Sequence, residues 1–267
     1  MKLASLKGGR DGRLVVVSND LAWFTEAHHI APTMQVALDQ WAWCEPALRG
    51  LAESLEHGSV PKERFHEHQA ASPLPRAYGW QAAGEGGEIL ASSSDRFLAP
   101  RDAIAADVAS LKPGLEASVA VITGDVASGA TAEAALAAVR LVLLCGELTL
   151  DEDGLHAGQA RPATAFSPVA VTPDVLTGWK GGRLAGALEL ELNGKSLTEA
   201  EAGQGADFGA LVAQAARTRA LGAGSLVGAG PMARAAGLKP GDTVRIEMRD
   251  AKRHTVFGAI EQEVAAA

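Results

Sequence analysis

Short runs of β-branched and aliphatic residues, separated by Gly- and Asp-containing turns, dominate the chain and predict a protein rich in strands. The most prominent run covers residues 115–123 and predicts a buried strand. Residues 1–6 and 13–18 flank a Gly-rich turn and predict a β-hairpin at the start of the chain. Asn193-Gly194 follows a series of alternating leucines, which is a strong signal for a second hairpin.

Helical periodicity is confined to three segments. Apolar residues recur at steps of three and four over 33–57, which predicts helices interrupted near Pro46. Residues 131–144 predict a helix or a helix followed by a strand, and residues 208–219 predict a further helix. Strands over 242–249 and 255–260 then complete the chain.

These elements predict an α+β fold that is rich in strands. Residues 61–100 contain little periodicity and several Pro, Gly and Ser residues, so we interpret this region as connecting. The resulting division is an N-terminal domain of a β-hairpin plus helices at 1–75, a connector at 76–100 and a C-terminal domain at 101–267.

Composition and charge restrict the partners and the cellular location that we expect for this protein. The formal net charge is -8, and no cluster of Lys and Arg is present to displace counterions from nucleic acid, so we expect no nucleic-acid partner. Residues 1–11 are polar and Gly-rich, unlike a signal peptide, and no apolar run approaches the ~20 residues of a membrane span. We therefore expect a cytoplasmic protein without a membrane partner. Cys44 and Cys145 are predicted to be buried, reduced thiols.

Two sets of side chains are candidates for chemistry. Glu116 is a carboxylate inside an otherwise apolar strand, where burial is costly unless the charge is paired or bound to a cation; an edge residue facing water is the alternative. His66-Glu67-His68 could supply half of a metal site, because i and i+2 side chains share a face of an extended segment. No third ligand lies near it in sequence, so a solvated loop is the simpler interpretation.

Several strings in one collinear order resemble the bacterial fumarylacetoacetate hydrolase family. They run nearly from end to end and cover residues 13–18, 74–78, 97–102, 119–126, 165–174, 192–194, 218–224 and 241–248; two of them are Val-Ala-Val-Ile-Thr-Gly-Asp-Val at 119–126 and Ala-Phe-Ser-Pro-Val-Ala-Val-Thr-Pro-Asp at 165–174. Each string is weak by itself, and their shared order carries the resemblance. The resemblance implies a small N-terminal β domain followed by the family's mixed β-roll, assembled as a homodimer.

The resemblance also implies an activity. Such proteins cleave or rearrange small keto acids, with Mg²⁺ or Mn²⁺ chelating the dicarbonyl end of an acylpyruvate-like substrate and stabilising the enolate that is left. The metal is typically held by a Glu-x-Glu pair and a downstream Asp. Here Glu116 matches the first glutamate, Ser118 stands at the second, and Glu147 stands where Asp is usual. The implied metal site is thus reduced to Glu116, Glu147 and the Ser118 hydroxyl, which predicts weak or absent metal binding.

Other positions depart from the family pattern as well. No histidine lies in 81–94, where such proteins carry a general base, and His66 or His68 would substitute only if its loop folded back. Arg161 replaces the usual lysine and could clamp a substrate carboxylate, or could be a solvated arginine at a strand entrance. Gly228-Ala-Gly230-Pro231 replaces a Gly-x-Gly-Thr stretch whose threonine touches substrate.

Three hypotheses follow, because the departures fall on loops and ligands while the core strands remain family-like. The first is a divergent C–C bond hydrolase or lyase for an acylpyruvate-like or diketo acid, with Glu116 and Glu147 holding a metal and Arg161 and His66 acting in catalysis. The second is a non-catalytic relative kept for assembly, as a partner subunit or to bind an acid. The third is a metal-independent enzyme with changed chemistry.

Overall fold

The computed structural model describes residues 1–84, 86–105, 107, 111, 113–152, 154–201, 206–250 and 252–266, with the backbone alone at 157 and 198–201. Within these residues the α-helices are α1 (Met34–Asp39), α2 (Trp41–Glu56), α3 (Ala132–Ala137), α4 (Ala157–Ala160) and α5 (Phe208–Ala215). The strands are β1 (Lys2–Leu6), β2 (Arg13–Val17), β3 (Trp23–Glu26), β4 (Glu63–Arg64), β5 (Trp80–Ala83), β6 (Ile89–Ser92), β7 (Gly114–Thr123), β8 (Val139–Thr149), β9 (Thr164–Phe166), β10 (Ala170–Val171), β11 (Trp179–Lys180), β12 (Arg183–Leu184), β13 (Ala187–Leu192), β14 (Lys195–Glu201), β15 (Leu226–Gly228), β16 (Ala233–Ala235), β17 (Thr243–Arg249) and β18 (Thr255–Glu263).

One 12-stranded mixed sheet contains most of the chain, in the order β4-β3-β2-β1-β10-β8-β7-β15-β5-β6, with β16 also pairing with β7 and β9 with β8. The pairing of β15 with β5 is parallel, and the other pairings in this sheet are antiparallel. A 4-stranded sheet, β14-β13-β17-β18, packs beside it. The chain is therefore β-rich and mixed, as predicted.

The central strand β7 is buried on both faces of the large sheet. Val119 and Val121 pack into one apolar cluster, and Ala120 and Ile122 pack into a second. Because successive side chains of a strand point to opposite faces, a strand covered on both sides needs a continuous apolar run. This is the physical reason for the continuous apolar run over 119–122, and it makes Glu116 and Ser118 exceptional in this strand.

Both predicted hairpins are confirmed. β1 pairs with β2 from Lys2↔Val17 to Leu6↔Arg13, and β13 pairs with β14 across Asn193 and Gly194. Asn193 has φ 53° and Gly194 has φ 72°, as a tight turn with two left-handed residues requires. The predicted helix and strand over 131–144 are also present as α3 and the start of β8.

Two features of the first hundred residues differ from the prediction. The helical segment is interrupted at Gln40, whereas Pro46 lies inside α2. Proline removes one backbone hydrogen bond, but Cys44, Leu48 and Leu55 bury one face of α2, and this packing keeps the helix continuous. The region expected to be a connector contains β5 and β6, and β5 joins the large sheet through β15. Each of these strands has only four residues, which is too short to produce a recognisable period.

The described helices include none that is long and apolar enough to cross a membrane.

Candidate functional site

A row of polar side chains crosses four neighbouring strands of the large sheet. Glu116 of β7 lies directly opposite Glu147 of β8, Arg234 of β16 lies on the other side of Glu116, and Thr164 of β9 lies on the other side of Glu147. Two carboxylates placed opposite each other on antiparallel strands repel, so the pair requires compensation by positive charge or by donors. The stability of this row therefore depends on positive charges or hydrogen-bond donors that lie next to the two carboxylates.

The compensation comes mainly from Arg161, which follows the short helix α4. Its Nη1 donates to Oε2 of Glu116 at 3.1 Å and also to Oε2 of Glu147. On the far side of the pair, Nη2 of Arg234 lies 3.0 Å from Oε1 of Glu116. Two guanidinium groups thus balance two carboxylates.

Trp80 satisfies the remaining carboxylate oxygen. Its indole Nε1 donates to Oε1 of Glu147 at 2.8 Å and lies 3.1 Å from Oγ1 of Thr164. All four oxygens of Glu116 and Glu147 are consequently contacted by a donor from a neighbouring side chain. A buried polar network satisfied in this way is rigid, since moving one member leaves its partners unpaired.

The network is largely removed from solvent. The side chains of Arg161, Glu116 and Glu147 are 16%, 12% and 5% exposed. Burial alone disfavours the charged form of Arg161, but the adjacent carboxylates of Glu147 and Glu116 outweigh it and raise the pKa of this arginine above its ordinary value. Arg161 therefore stays positively charged and cannot serve as a proton donor.

The cavity beside the network is very small. It has a volume of about 10 Å³ and is lined by Trp80, Ala82, Ala83, Glu116, Ser118, Cys145, Glu147, Arg161, Gly230 and Pro231. Binding sites for small molecules usually have volumes of ~300–1,000 Å³. A cavity of this size accommodates no more than one water molecule, so the side chains would have to move before a keto acid could enter.

Two glycines allow close packing here, Gly228 against the ring of Trp80 and Gly230 against the backbone of Ala83. A Cβ on Gly228 would lie 2.5 Å from Cη2 of Trp80, and Gly230 has φ 85°, a left-handed conformation that favours glycine. The carbonyl of Gly230 accepts a hydrogen bond from the Ser118 hydroxyl. Of the segment 228–231, which differs from the family pattern, Gly230 and Pro231 line the cavity.

The structure brings together four of the residues singled out from sequence. Glu116, Ser118, Glu147 and Arg161 all line the cavity. Ser118 and Glu116 point to the same face of β7, as their i and i+2 spacing predicts. The Ser118 hydroxyl, however, donates a hydrogen bond to the backbone carbonyl of Gly230.

His66 is not brought to this cavity. His66 and His68 are both exposed, with ring centroids 5.4 Å apart, and neither lines the cavity. Glu67 between them forms an ion pair with Arg101, and its Oε1 accepts a hydrogen bond from the backbone N–H of Ala259 in β18. The loop is thus held against another part of the protein.

Sequence reasoning missed three members of the network. Trp80 packs edge-on against Phe166, as a buried tryptophan is expected to do, but its indole N–H also contacts Glu147. Arg234 and Thr164 gave no signal, because their proximity depends on the register of β16 and β9 rather than on spacing along the chain. The available clue was Glu116 itself, since a buried carboxylate needs partners.

The residues present do not fit a divalent cation as they are arranged. Mg²⁺ and Mn²⁺ need several oxygen ligands, whereas the oxygens of Glu116 and Glu147 are already engaged by Arg161, Arg234 and Trp80. The guanidinium of Arg161 lies between the two carboxylates, where a shared cation would have to lie. Among the described residues, no group of three or more His, Cys, Asp or Glu side chains is arranged to hold a metal ion.

Cys145 lines the cavity but is a poor nucleophile. Burial, reinforced by the negative charge of Glu147, raises the pKa of its thiol far above the ordinary value. Cys44 is also buried, so both thiols are free and inaccessible, in agreement with the prediction from sequence.

Both parts of the chain match domains of one protein family. The model of the fumarylacetoacetase N-terminal domain 2 matches residues 1–76, and that of the fumarylacetoacetate (FAA) hydrolase C-terminal domain matches residues 76–265. No curated protein matches the sequence.

Solved structures match over the whole chain. Maleylpyruvate hydrolase from Sphingobium sp. SYK-6 has a TM-score of 0.77 at 17% identity, covering 100% of both chains. The same enzyme in complex with manganese (II) ion and pyruvate has a TM-score of 0.76 at 18% identity, covering 99% of each chain. Fumarylacetoacetate hydrolase from Exiguobacterium antarcticum has a TM-score of 0.75 at 15% identity, covering 100% of both. At these identities the similarity establishes the fold, and together with the matches to both domain models it shows that the chain belongs to the fumarylacetoacetate hydrolase family.

Proposed function

We propose that this protein is a non-catalytic member of the fumarylacetoacetate hydrolase family, which keeps the family fold for assembly or as a partner subunit. The observation that carries this proposal is the ionic network of Glu116, Glu147, Arg161 and Arg234. Together with the indole of Trp80, this network takes up all four carboxylate oxygens, and the cavity beside it has a volume of about 10 Å³. A substrate has no room beside it, and the described residues that line the cavity include no histidine to act as a base.

A turnover assay tests this proposal. The purified protein would be incubated with maleylpyruvate and with a simple acylpyruvate, with Mn²⁺ or with EDTA, while the enol absorbance is followed. The Sphingobium maleylpyruvate hydrolase serves as the active control under the same conditions. We expect rates equal to those of a buffer blank. Turnover that is lost in Glu147→Gln would refute the proposal.

A second candidate is a metal-independent enzyme that keeps the reaction class of the family, a C–C bond hydrolase or lyase for an acylpyruvate-like acid. One observation favours it: Arg161 and Arg234 place two cationic groups at the Glu116–Glu147 pair, and the Arg234 side chain is 49% exposed. If Arg161 turned away from the carboxylates, a guanidinium could bind the substrate carboxylate through two hydrogen bonds. This candidate predicts turnover in EDTA that falls in Arg161→Lys, which the same assay would detect.

The assembly also remains to be tested. The resemblance implies a homodimer, and a non-catalytic family member would still use the surface that pairs its relatives. Light scattering after size exclusion should then give twice the chain mass of 27.4 kDa. A mass of one chain would leave the partner-subunit version of the proposal, in which this chain requires a second protein.

A further inference from the structure

The two facing carboxylates, Glu116 and Glu147, share one cation, and that cation belongs to the chain itself. We propose that the guanidinium of Arg161 permanently takes the place of a divalent metal at this pair, so that removing it would open a Mn²⁺ site. This inference rests on the proposed function, because a protein that carries its own cation has no need of metal at this position.

The position and the hydrogen bonds of Arg161 support the proposal that its guanidinium replaces a metal ion. Nη1 of Arg161 contacts Oε2 of both glutamates, the two oxygens that face each other across the β7–β8 pair. The outward oxygens are held separately, that of Glu116 by Arg234 and that of Glu147 by Trp80. The inward oxygens therefore point at a common position, and a guanidinium nitrogen occupies it.

Charge balance explains why both cations cannot be present. With Arg161 and Arg234, the four-residue network is neutral. Adding a divalent ion would place two uncompensated positive charges among side chains that are 5–16% exposed, which is strongly unfavourable at low effective dielectric. Without the Arg161 guanidinium the same network carries one net negative charge, and its two inward oxygens become available as hard ligands for Mn²⁺.

The experiment compares Mn²⁺ binding to the intact protein and to Arg161→Met, using the electron paramagnetic resonance signal of free Mn²⁺ and thermal unfolding. The intact protein should bind no Mn²⁺ at this pair, and its Tm should be equal in Mn²⁺ and in EDTA. Arg161→Met should bind one equivalent. At Mn²⁺ tenfold above Kd its folding equilibrium shifts about 11-fold, which raises Tm by roughly 3–5 °C for a chain of this size.

Two control variants isolate the carboxylate pair. Arg161→Met combined with Glu147→Gln has the same missing guanidinium but lacks one ligand, so its Mn²⁺ response should disappear. Arg101→Met removes another arginine that lies between two glutamates, Glu67 and Glu261, which belong to separate, more exposed elements. It should lose stability without gaining a Mn²⁺ response. An equal response in Arg101→Met would overturn the proposal, since binding would then be a general property of exposed carboxylates.

Mn²⁺ binding measured on the intact protein tests the proposal even if Arg161→Met does not fold. One equivalent of Mn²⁺ bound by the unmodified chain, and lost in Glu116→Gln, would overturn the proposal directly. Arg161→Lys, which keeps a positive charge, provides a folded variant expected to remain unresponsive to Mn²⁺. Mn²⁺ binding by the intact protein without turnover would defeat this inference and leave the proposed function intact. Turnover by the intact protein in EDTA, without Mn²⁺ binding, would do the reverse.

Discussion

Glu147→Gln should have opposite effects on stability in the presence and in the absence of Arg161. In the parent protein this substitution removes the charge of a carboxylate whose side chain is 5% exposed and weakens its contact with Arg161. Hydrogen bonds to charged groups contribute ~1.5–3 kcal/mol, so we expect a loss of about 2 kcal/mol in the free energy of unfolding.

Arg161→Met should cost more, about 3–5 kcal/mol, because it leaves two buried carboxylates facing each other with only Arg234 to compensate them. In that background Glu147→Gln removes the uncompensated charge while its amide oxygen can still accept from Trp80. The double variant should therefore be more stable than Arg161→Met alone, by about 1–2 kcal/mol.

Urea unfolding of the four proteins in EDTA, followed by circular dichroism, measures these differences as a double-mutant cycle. EDTA keeps adventitious metal from replacing the missing guanidinium. If Glu147→Gln destabilised both backgrounds by the same amount, the two side chains would be energetically independent, and the argument that Arg161 compensates this carboxylate would fail.

Three further results are expected. Burial lowers the pKa of Lys2 from 10.5 to about 8, so the unfolded chain holds more protons on this group between pH 8 and 10.5; the free energy of unfolding of the parent protein, relative to that of Lys2→Met, should therefore rise through that window by up to about 3 kcal/mol. The comparison with Lys2→Met cancels the opposing contribution of the buried Cys145 thiol, and a difference between the two proteins that does not change with pH would contradict this. Gly228→Ala should destabilise by about 1–3 kcal/mol, because the new Cβ would lie 2.5 Å from the Trp80 ring, while Gly222→Ala, with nothing within 4 Å, should be neutral in the same denaturation assay. Cys145 should react with a thiol reagent only after unfolding, since burial raises its pKa; rapid labelling of the native protein would show that the cavity opens.

The core of the fold was predictable from sequence because it depends on local patterns. The apolar run of β7 and the Asn193-Gly194 turn each determine their structure within a few residues, and the pairings confirm them. The short strands β5 and β6 were not predictable in the same way, because β5 pairs with β15, a segment almost 150 residues away in sequence, and β6 in turn pairs with β5.

The candidate site was predictable only in part. Glu116, Glu147 and Arg161 could be singled out as charged residues at the positions where the family places its chemistry, and the structure does bring them together. Their relationship could not be inferred, because whether an arginine faces solvent, a substrate or its own carboxylates depends on how α4 directs its side chain. Likewise, the polar role of Trp80 emerges only when β5 and β8 are placed in space.

The first strand of the protein has a consequence for how the chain reaches its native state. β1 pairs on one side with β2 and on the other with β10, through Lys2↔Val171 and Leu3↔Ala170, and the terminal amine donates to Thr172. During synthesis the outer edge of β1 therefore stays unpaired until about 170 residues have emerged from the ribosome, and such an edge can pair with other chains. The late strand β10 thus closes the earliest part of the fold, and formation of this contact of high sequence separation should be among the slow steps of folding.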